Sequence, residues 1–325
     1  MRYRMLGSSN LLVSVISLGT WVFGGTNWGK VDDQESIATI QKAIELGINL
    51  IDTAPVYGDG HAEEIVGKAI KGKRDKVFIA TKCGLQKKRG KYEHDLRPNE
   101  IRKEMEHSLS RLNTEYIDLY QCHWPDPKTP IEETLEEMLK MKSEGKINYI
   151  GVSNFDLSLF EKAIKIAPVV SLQLHYSLLE RSVEESHLVK FSKENGIGVM
   201  TYGSLGGGLL SGKYKKKPTF SKKDARRFFY QFYAEERWAR YQSFLESLKE
   251  IAKHQTKPLA QLALNWLIQQ TGVTTAIVGA RNPEQIEKNA NAPEWELSES
   301  DLIQIKEIYS KFFKNFSLIS LKIKV

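Results

Sequence analysis

The sequence predicts a (β/α)8 TIM barrel, because short apolar runs alternate with longer amphipathic stretches along most of its 325 residues. Such alternation gives parallel strands that are joined by right-handed helical crossovers. A doubly wound open sheet is the alternative, but no G-x-G-x-x-G motif follows the first predicted strand. The eight predicted strands are Val15–Leu18, Ile48–Ile51, Val77–Ala80, Tyr116–Gln121, Tyr149–Val152, Leu172–Leu174, Val199–Thr201 and Ala276–Val278.

The stretches between these runs have apolar residues near positions i, i+3, i+4 and i+7, which predicts helices. The opening segment Tyr3–Val13 predicts a hairpin that turns at Ser8–Asn10 and plugs the barrel floor. No repeat or linker divides residues 1–325, so we expect a single domain, with the tail after about residue 314 unassigned. The predicted helices are Gln34–Leu46, Pro98–Leu112, Ile131–Lys142, Leu157–Lys165, Val183–Glu194, about Arg237–His254, Leu259–Gln270, Leu302–Lys314 and one that begins near Pro283.

A long loop follows the seventh predicted strand, from Tyr202 to about Glu236. Loops of more than about 12–15 residues are usually functional or disordered. This one carries a basic run opposed only by Asp224, which accounts for about the whole net charge of +7. Such a loop suits a small phosphate-bearing ligand as well as a polyanion, and we predict the former and no nucleic acid. The basic residues are Lys213, Lys215, Lys216, Lys217, Lys222, Lys223, Arg226 and Arg227.

Composition excludes several other classes of protein. Two cysteines, Cys83 and Cys122, do not form a disulfide scaffold, which indicates a reduced, cytoplasmic protein. Each cysteine neighbours a predicted site residue in a strand, so its thiol should face the barrel wall rather than a ligand. No secretory pattern and no apolar run of about 18 residues is present, so we predict no membrane association. The histidines lack metal-ligand spacing, so we predict no metal.

Polar residues follow the predicted strands at the end where barrel enzymes place their chemistry. Asp52, Lys82 and His123 end the second, third and fourth strands, and Tyr57 lies in the loop after Asp52. Alone, the aspartate is better explained as a helix cap, the tyrosine as a packing residue and the lysine as a solvated charge, while the histidine is ambiguous. Together they predict a catalytic site. The later strands carry Ser153, Asn154, Gln173, Tyr202 and Gly279 at the same end.

This set of side chains suits the reduction of a carbonyl group. Tyr57 can give a proton to the carbonyl oxygen, but a free phenol has a pKa near about 10. A neighbouring ammonium favours the phenolate, so we expect Lys82 to lower the pKa of Tyr57 and Asp52 to hold Lys82 in place. His123 can donate a hydrogen bond to the same oxygen as negative charge develops there. We therefore predict an acid–base site at the barrel mouth.

The segment Gly47–Gly58 resembles the signature of the aldo-keto reductase family. The resemblance extends over about residues 3 to 310 and is closest to bacterial-type members related to the potassium-channel β subunits. It implies an NADP-dependent oxidoreductase that reduces aldehydes or ketones. The other segments that carry it are Ile79–Lys82, Asp118–Pro125, Gly151–Phe155, Tyr202–Lys213 and Ile277–Gln285.

The resemblance implies NADPH/NADP+ as the cofactor and a small carbonyl compound as the substrate. Ser153, Asn154 and Gln173 would hold the nicotinamide carboxamide, and Tyr202 would stack on the ring. The tryptophans Trp21, Trp28 and Trp124 are expected to wall the substrate pocket, together with Tyr57 and His123. The full expected cofactor set is Thr20, Trp21, Ser153, Asn154, Gln173, Tyr202, Gly203, Ser204, Leu205, Gly207, Leu209, Gly212, Lys213, Gly279, Arg281, Gln285 and Asn289.

Arg281 favours NADPH over NADH, because an arginine beside the start of a helix suits the 2′-phosphate of the adenosine ribose. A redox-sensing regulatory subunit resembling the channel β subunits is the alternative function. The sequence has no obvious long gating segment before Tyr3, which favours the enzyme. We expect a monomer or a weak homo-oligomer.

Overall fold

The computed structural model of the protein describes residues 1–88 and 91–314, so the predicted tail after about residue 314 lies outside the described residues. Eight parallel strands close into a barrel, in the order β3, β4, β5, β8, β9, β10, β11 and β12, once the strands are numbered along the chain. Each predicted strand overlaps one of these barrel strands. The strands are β1 (Tyr3–Met5), β2 (Leu12–Ser14), β3 (Ile16–Gly19), β4 (Leu50–Asp52), β5 (Phe78–Cys83), β6 (Leu85–Lys88), β7 (Lys91–His94), β8 (Ile117–Cys122), β9 (Ile147–Ser153), β10 (Val169–His175), β11 (Gly198–Tyr202) and β12 (Val273–Gly279).

Helices surround the barrel, and polar side chains cap several of them. Asp32 and Asp156 accept hydrogen bonds from backbone N–H groups one turn into α1 and α5, and Ser298 forms a capping box at the start of α11. The helices are α1 (Asp33–Glu45), α2 (His61–Ala69), α3 (Pro98–Leu112), α4 (Ile131–Ser143), α5 (Leu157–Ile166), α6 (Leu188–Glu194), α7 (Ala225–Phe228), α8 (Glu235–His254), α9 (Leu259–Ile268), α10 (Pro283–Ala290) and α11 (Glu299–Phe313).

One predicted helix is wrong in its first half. Val183–Glu194 was expected to be continuous, but a short 3-10 turn at Ser182–Glu184 is followed by a break at His187, which has a left-handed φ of 60°. Ser186 donates to the carbonyl oxygen of Val183 and accepts from the N–H of Leu188. This side chain competes with helical hydrogen bonding, so α6 begins only at Leu188.

The N-terminal hairpin plugs the barrel floor, as predicted. Strands β1 and β2 pair in antiparallel fashion. Leu6, Leu11 and Val13 are buried against side chains from the barrel strands, among them Leu50 and Met200. The turn passes close to the barrel backbone at Gly7, where φ is +58° and an added Cβ would lie 2.3 Å from the carbonyl oxygen of Val170.

The two cysteines face the helices, as predicted. Cys83 and Cys122 are opposite each other on the paired strands β5 and β8, and both are free and buried. The thiol of Cys122 lies 3.7 Å from the sulfur of Met138 in α4. Both residues therefore belong to the apolar layer between barrel and helices.

The long loop after β11 is structured. It contains a 3-10 segment at Gly206–Ser211, the short helix α7 and a 3-10 turn at Gln231–Tyr233. Phe229 and Tyr230 are among its buried aromatic residues. Within the described residues, no helix has the length and apolar composition needed to cross a membrane.

Candidate active site

The four predicted catalytic residues converge at the C-terminal mouth of the barrel. Asp52 is the last residue of β4, Lys82 lies near the end of β5, and His123 follows β8. Tyr57 comes from the turn after β4, where its backbone N–H donates to the carbonyl oxygen of Ala54. Parallel strands bring these residues together because their C-terminal ends share one face of the barrel.

Lys82 connects Asp52 and Tyr57 through hydrogen bonds. Its Nζ donates hydrogen bonds to Asp52 Oδ1 at 2.7 Å, to the carbonyl oxygen of Thr53 at 2.8 Å and to Tyr57 Oη at 3.2 Å. The side chain of Lys82 is fully buried, and these partners use all three donors of an ammonium group. Burial lowers the pKa of Lys82, while the charge of Asp52 opposes that change.

The pKa of Tyr57 was expected to be lowered, but its overall shift is upward. Burial, and secondarily the negative charge of Asp52, raise this pKa well above its usual value. Trp21 contributes to that burial by stacking on the phenol, with ring centroids 5.9 Å apart. The phenol is therefore protonated at neutral pH, and the hydrogen bond from Lys82 is available to stabilise the phenolate once the proton has left.

His123 approaches Tyr57 edge-on, with ring centroids 5.9 Å apart. Burial, and then the charge of Lys82, lower the pKa of His123 well below its usual value. The imidazole is therefore neutral at physiological pH. A neutral ring can still donate one hydrogen bond to a carbonyl oxygen.

The residues expected to hold a carboxamide form a hydrogen-bonded chain beside this group. Ser153 Oγ donates to the carbonyl oxygen of Gln173, and Asn154 Nδ2 donates to Ser153 Oγ. Tyr202 Oη donates to Asn154 Oδ1 at 2.8 Å. Asn154 adopts a left-handed φ of 60°, which Asn tolerates better than most residues. These contacts fix side-chain amides around one part of the site.

A cavity of about 850 Å³ extends from Asp52, Tyr57 and His123 along the loops after β11 and β12. Most of the predicted site residues line it. Lys82, Leu209 and Gly212 do not. Lys82 lies fully buried behind Asp52 and Tyr57, Leu209 is fully buried in the core, and Gly212 packs against Leu259 at the end of the 3-10 segment. The predicted residues that line the cavity are Thr20, Trp21, Trp28, Asp52, Tyr57, His123, Trp124, Ser153, Asn154, Gln173, Tyr202, Gly203, Ser204, Leu205, Gly207, Lys213, Gly279, Arg281, Gln285 and Asn289.

Arg281 bridges two loops at the cavity wall. Its guanidinium donates to the carbonyl oxygen of Trp28, and its backbone N–H donates to Gln285 Oε1. Asn282 caps α10 through the N–H of Gln285. The N-terminus of α10 and the charge of Arg281 therefore lie together, as the sequence predicts.

The sequence reasoning missed several cavity residues. Of the basic run, only Lys213 and Arg226 line the cavity, and Arg226 was not among the expected cofactor residues. Leu85 and Tyr92 also line it, from a β6–β7 hairpin that had not been predicted. The alternation of Lys91, Tyr92, Glu93 and His94 between charged and aromatic residues was the available signal.

Among the described residues, no group of three or more His, Cys, Asp or Glu side chains is arranged to hold a metal ion.

Comparisons with known proteins agree with this geometry. The model of the aldo/keto reductase family matches residues 15–310. Aldo-keto reductase YhdN of Bacillus subtilis (strain 168) is 43% identical over 311 residues, covering 95% of this chain and 93% of that protein. The NADH-specific methylglyoxal reductase of Escherichia coli (strain K12) is 34% identical over 319 residues, covering 93% of this chain and 97% of that protein. The structure of glycerol dehydrogenase AKR11B4 from Gluconobacter oxydans matches with a TM-score of 0.88 and 37% identity, covering 96% of each chain. The chain belongs to the aldo-keto reductase family, whose members are oxidoreductases that use nicotinamide cofactors.

Proposed function

We propose that this protein reduces aldehydes or ketones to alcohols by hydride transfer from NADPH, with Tyr57 as the general acid. The observation that carries the proposal is that Lys82 Nζ donates both to Asp52 Oδ1, at 2.7 Å, and to Tyr57 Oη, at 3.2 Å. Tyr57 borders a cavity of about 850 Å³, so a small carbonyl compound can reach the phenol. The relatives that are named as reductases or dehydrogenases favour an enzyme over a regulatory subunit.

The cavity fits a nicotinamide dinucleotide, because its two sides differ in chemistry. On the side of β9 and β10, Asn154 and Gln173 offer side-chain amides beside the flat ring of Tyr202, which suits an aromatic carboxamide. On the side of β11 and β12, Lys213 and Arg281 offer positive charge for phosphate groups. An added Cβ at Gly279 would meet only the carbonyl oxygen of Gly19, at 3.9 Å, so a ligand can approach this backbone closely.

When bound, the nicotinamide supplies the hydride, and this chain supplies the proton. Tyr57 donates its phenolic proton to the carbonyl oxygen as negative charge develops there. Lys82 donates to Tyr57 Oη, so its ammonium group stabilises the phenolate that remains. His123, as a neutral imidazole, donates a hydrogen bond to the same carbonyl oxygen and orients the substrate.

We propose NADPH rather than NADH because Arg281 is half-buried at the cavity wall beside the start of α10. The Escherichia coli relative is named as NADH-specific, so membership of the family does not decide between NADPH and NADH. The choice is therefore argued from the residues of this chain. A cytoplasmic location and a monomeric or weakly oligomeric state stay predictions from the sequence.

The proposal is tested by incubating the purified protein with NADPH and a panel of aldehydes and ketones. We expect loss of reduced-nicotinamide absorbance with at least one carbonyl, and equal amounts of alcohol formed and NADPH consumed. Lys71→Ala, which changes an exposed residue of the turn after α2 that does not line the cavity, serves as the control variant. Absence of turnover with every carbonyl, in a folded protein that binds NADPH, would contradict the proposed function.

A further inference from the structure

His175 and Tyr202 form a stacked pair beside the candidate active site. They are opposite each other in the register of the parallel strands β10 and β11, so their side chains lie on the same face of the sheet. The two rings are nearly parallel, with an angle of 8° between the planes and 5.1 Å between the centroids. Tyr202 lines the cavity, whereas His175 is not among the residues that line it. His175 therefore covers one face of the Tyr202 ring and leaves the other face for a ligand.

The imidazole of His175 is also packed against the long loop after β11. Phe229 and Tyr230, just after α7, contact it with centroid distances of 5.6 Å and 5.9 Å. The backbone at Gly203 passes so close that an added Cβ would lie 2.4 Å from His175 Nε2. The residue is only 9% exposed. His175 thus links the loop to the side chain that is expected to stack on the nicotinamide.

A histidine is a costly choice for this position. Among the described residues, neither Nδ1 nor Nε2 of His175 has a hydrogen-bond partner. A neutral imidazole carries one N–H, and burial of an unpaired donor destabilises a fold. A phenylalanine would place a ring here without this penalty. The penalty is understandable where protonation of the ring has a role.

Protonation of His175 is incompatible with this packing. Burial alone lowers the pKa of His175 from 6.5 to about 3. The titratable groups that face the ring are the phenols of Tyr202 and Tyr230. Burial raises the pKa of both phenols, so neither supplies a negative charge to balance an imidazolium.

The charged side chains of the neighbouring elements have other partners. Glu180, in the loop after β10, accepts from the backbone N–H of Ser182. In α7, Arg226 is paired with Asp224. Neither carboxylate is hydrogen-bonded to the nitrogens of His175. A protonated ring in this packing would therefore be a buried charge without a partner, which is strongly disfavoured.

We propose that His175 is a positioning residue for the nicotinamide, and that it acts through Tyr202 only while its ring is neutral. The inference rests on the proposed binding of a nicotinamide cofactor and adds regulation by pH to that site. The neutral ring supports Tyr202 and holds Phe229 and Tyr230 of the loop in place. Once protonated, the ring leaves this packing to reach water, which removes the support from Tyr202 and loosens the loop. Acid therefore releases the cofactor.

The direction of the pH effect follows from the two environments of the ring. A ring that has left the packing regains a pKa near about 6.5, while the packed ring has a pKa of about 3. The packed state is therefore fully favoured above about pH 6.5 and is lost progressively as the pH falls from 6.5 towards 3. Because bound cofactor favours the packed state, its affinity should fall over this range. Bound cofactor should in turn lower the pKa of His175 by the same factor.

The first measurement is the affinity for NADP+, which is stable in acid, followed by quenching of tryptophan fluorescence. His175→Phe keeps a ring on Tyr202 but cannot be protonated. Between pH 7 and pH 5, we expect the Kd of the unaltered protein to rise by roughly 10-fold more than that of His175→Phe. The phosphate of the cofactor titrates in the same range, but it does so equally with both proteins. The ratio of the two Kd values therefore isolates His175.

Further variants separate positioning from simple support of the fold. His175→Ala removes the ring and should weaken NADP+ by roughly 10-fold already at neutral pH, whereas His175→Phe should stay within about 2-fold. Tyr202→Leu removes the residue through which His175 acts, so adding His175→Ala to it should weaken NADP+ by less than about 2-fold more. His107→Gln changes an exposed histidine of α3 and is the matched control, which should behave like the unaltered protein at every pH.

NMR of the protein with nitrogen-labelled histidine follows the titration of His175 directly and needs no turnover. The signal that is missing from His175→Phe identifies the residue. We expect its titration midpoint to lie below about pH 6.5 in the free protein, and about one pH unit lower with saturating NADP+.

A His175 midpoint near that of a free imidazole, or one that NADP+ leaves unchanged, would overturn the proposal. So would an equal pH dependence of NADP+ binding in the unaltered protein and in His175→Phe. The proposed carbonyl reduction is judged separately. If NADP+ binds with the expected pH dependence and no carbonyl is reduced, His175 keeps the role assigned here and the proposed reaction is wrong.

Discussion

Gln173 Nε2 donates to Asp52 Oδ2 at 2.8 Å, while Asp52 Oδ1 accepts from Lys82. One carboxylate thus joins the proposed carboxamide-binding side chain to the ammonium beside Tyr57. A carboxylate is the group required here, because both of its oxygens face donors. An asparagine at this position would turn its own N–H groups towards Lys82 or towards Gln173.

This relationship separates the effects of changes at Asp52 and Lys82. Lys82→Met should nearly abolish reduction at pH 7 and leave the Kd of NADPH within about 3-fold, because the ammonium acts on Tyr57 and not on the cofactor. Asp52→Asn should be milder in kcat but should also weaken NADPH, because Gln173 must flip to avoid two facing donors. Single-turnover kinetics and cofactor titration measure the two effects. An Asp52→Asn variant with normal NADPH affinity would show that Gln173 is not coupled to this carboxylate.

Tyr57→Phe tests the proton donor. The change keeps the ring that Trp21 stacks upon and removes only the hydroxyl group that Lys82 contacts. We expect NADPH binding to survive and carbonyl reduction to fall by ~10²-fold or more, the low end of general-acid contributions. Turnover close to that of the unaltered protein would mean that another group supplies the proton.

Arg281→Ala should weaken NADPH far more than NADH. A charge-assisted hydrogen bond contributes ~1.5–3 kcal/mol, or roughly 10- to 150-fold in affinity. Arg281 also donates to the carbonyl oxygen of Trp28, so Arg281→Ala loses a protein contact that affects both cofactors. Arg281→Lys, which keeps the charge, and Arg227→Ala, which changes an exposed residue of the neighbouring loop, are the controls. Equal losses for NADPH and NADH in Arg281→Ala would exclude recognition of the 2′-phosphate by this residue.

The barrel and the convergence of Asp52, Tyr57, Lys82 and His123 at its mouth were predictable from the sequence, because both depend on local signals. Apolar runs mark the strands, and the residue that ends each strand faces the barrel mouth. The place of Tyr92 in the cavity lining could not be predicted in this way, because its side chain is held by Asn27, 65 residues away. The raised pKa of Tyr57 was missed for a similar reason. Its burial depends on Trp21, which the loop after β3 brings over the phenol.

Glu104 should make the free energy of unfolding depend on pH. Its side chain lies in α3 and accepts from the backbone N–H of Gly84 at 2.6 Å, yet burial raises its pKa to about 8 from 4.5. The folded protein holds this proton more tightly than the unfolded chain does. The contribution of the protonated Glu104 side chain to the free energy of unfolding is therefore complete below about pH 4.5. It is lost as the pH rises towards 8. The loss is at most about 1.4 kcal/mol for each pH unit in that interval.

Glu104→Gln should remove this dependence, because an amide stays neutral and still accepts from Gly84. Urea unfolding at several pH values measures the difference. We expect the stability of Glu104→Gln relative to the unaltered protein to increase between pH 5 and pH 8. Glu106→Gln, an exposed change on the same helix, should leave the difference constant. A constant difference for Glu104→Gln as well would show that Glu104 is ionised in the folded state.

The loop from Lys213 to about Glu236 is predicted to act as a clamp over the cofactor. The hydrogen bond from Ala225 N to the carbonyl oxygen of Asn27 joins it to the loop after β3, and its side chains Lys213 and Arg226 line the cavity. Lys222 and Lys223 are exposed, so trypsin can reach them. Saturating NADPH should slow this cleavage, because phosphate groups that meet Lys213 or Arg226 would hold the loop in place.

Asp224→Ala sharpens the test of the clamp. Asp224 accepts from the backbone N–H and from the guanidinium of Arg226, so its removal should loosen α7 and speed cleavage at Lys222 and Lys223. NADPH should then protect less, and its binding should show a weaker second, salt-sensitive kinetic step. Arg227→Ala, which changes an exposed basic residue beside it, should leave protection intact. Cleavage at one rate with and without bound NADPH, in the unaltered protein, would mean that the loop does not respond to the cofactor.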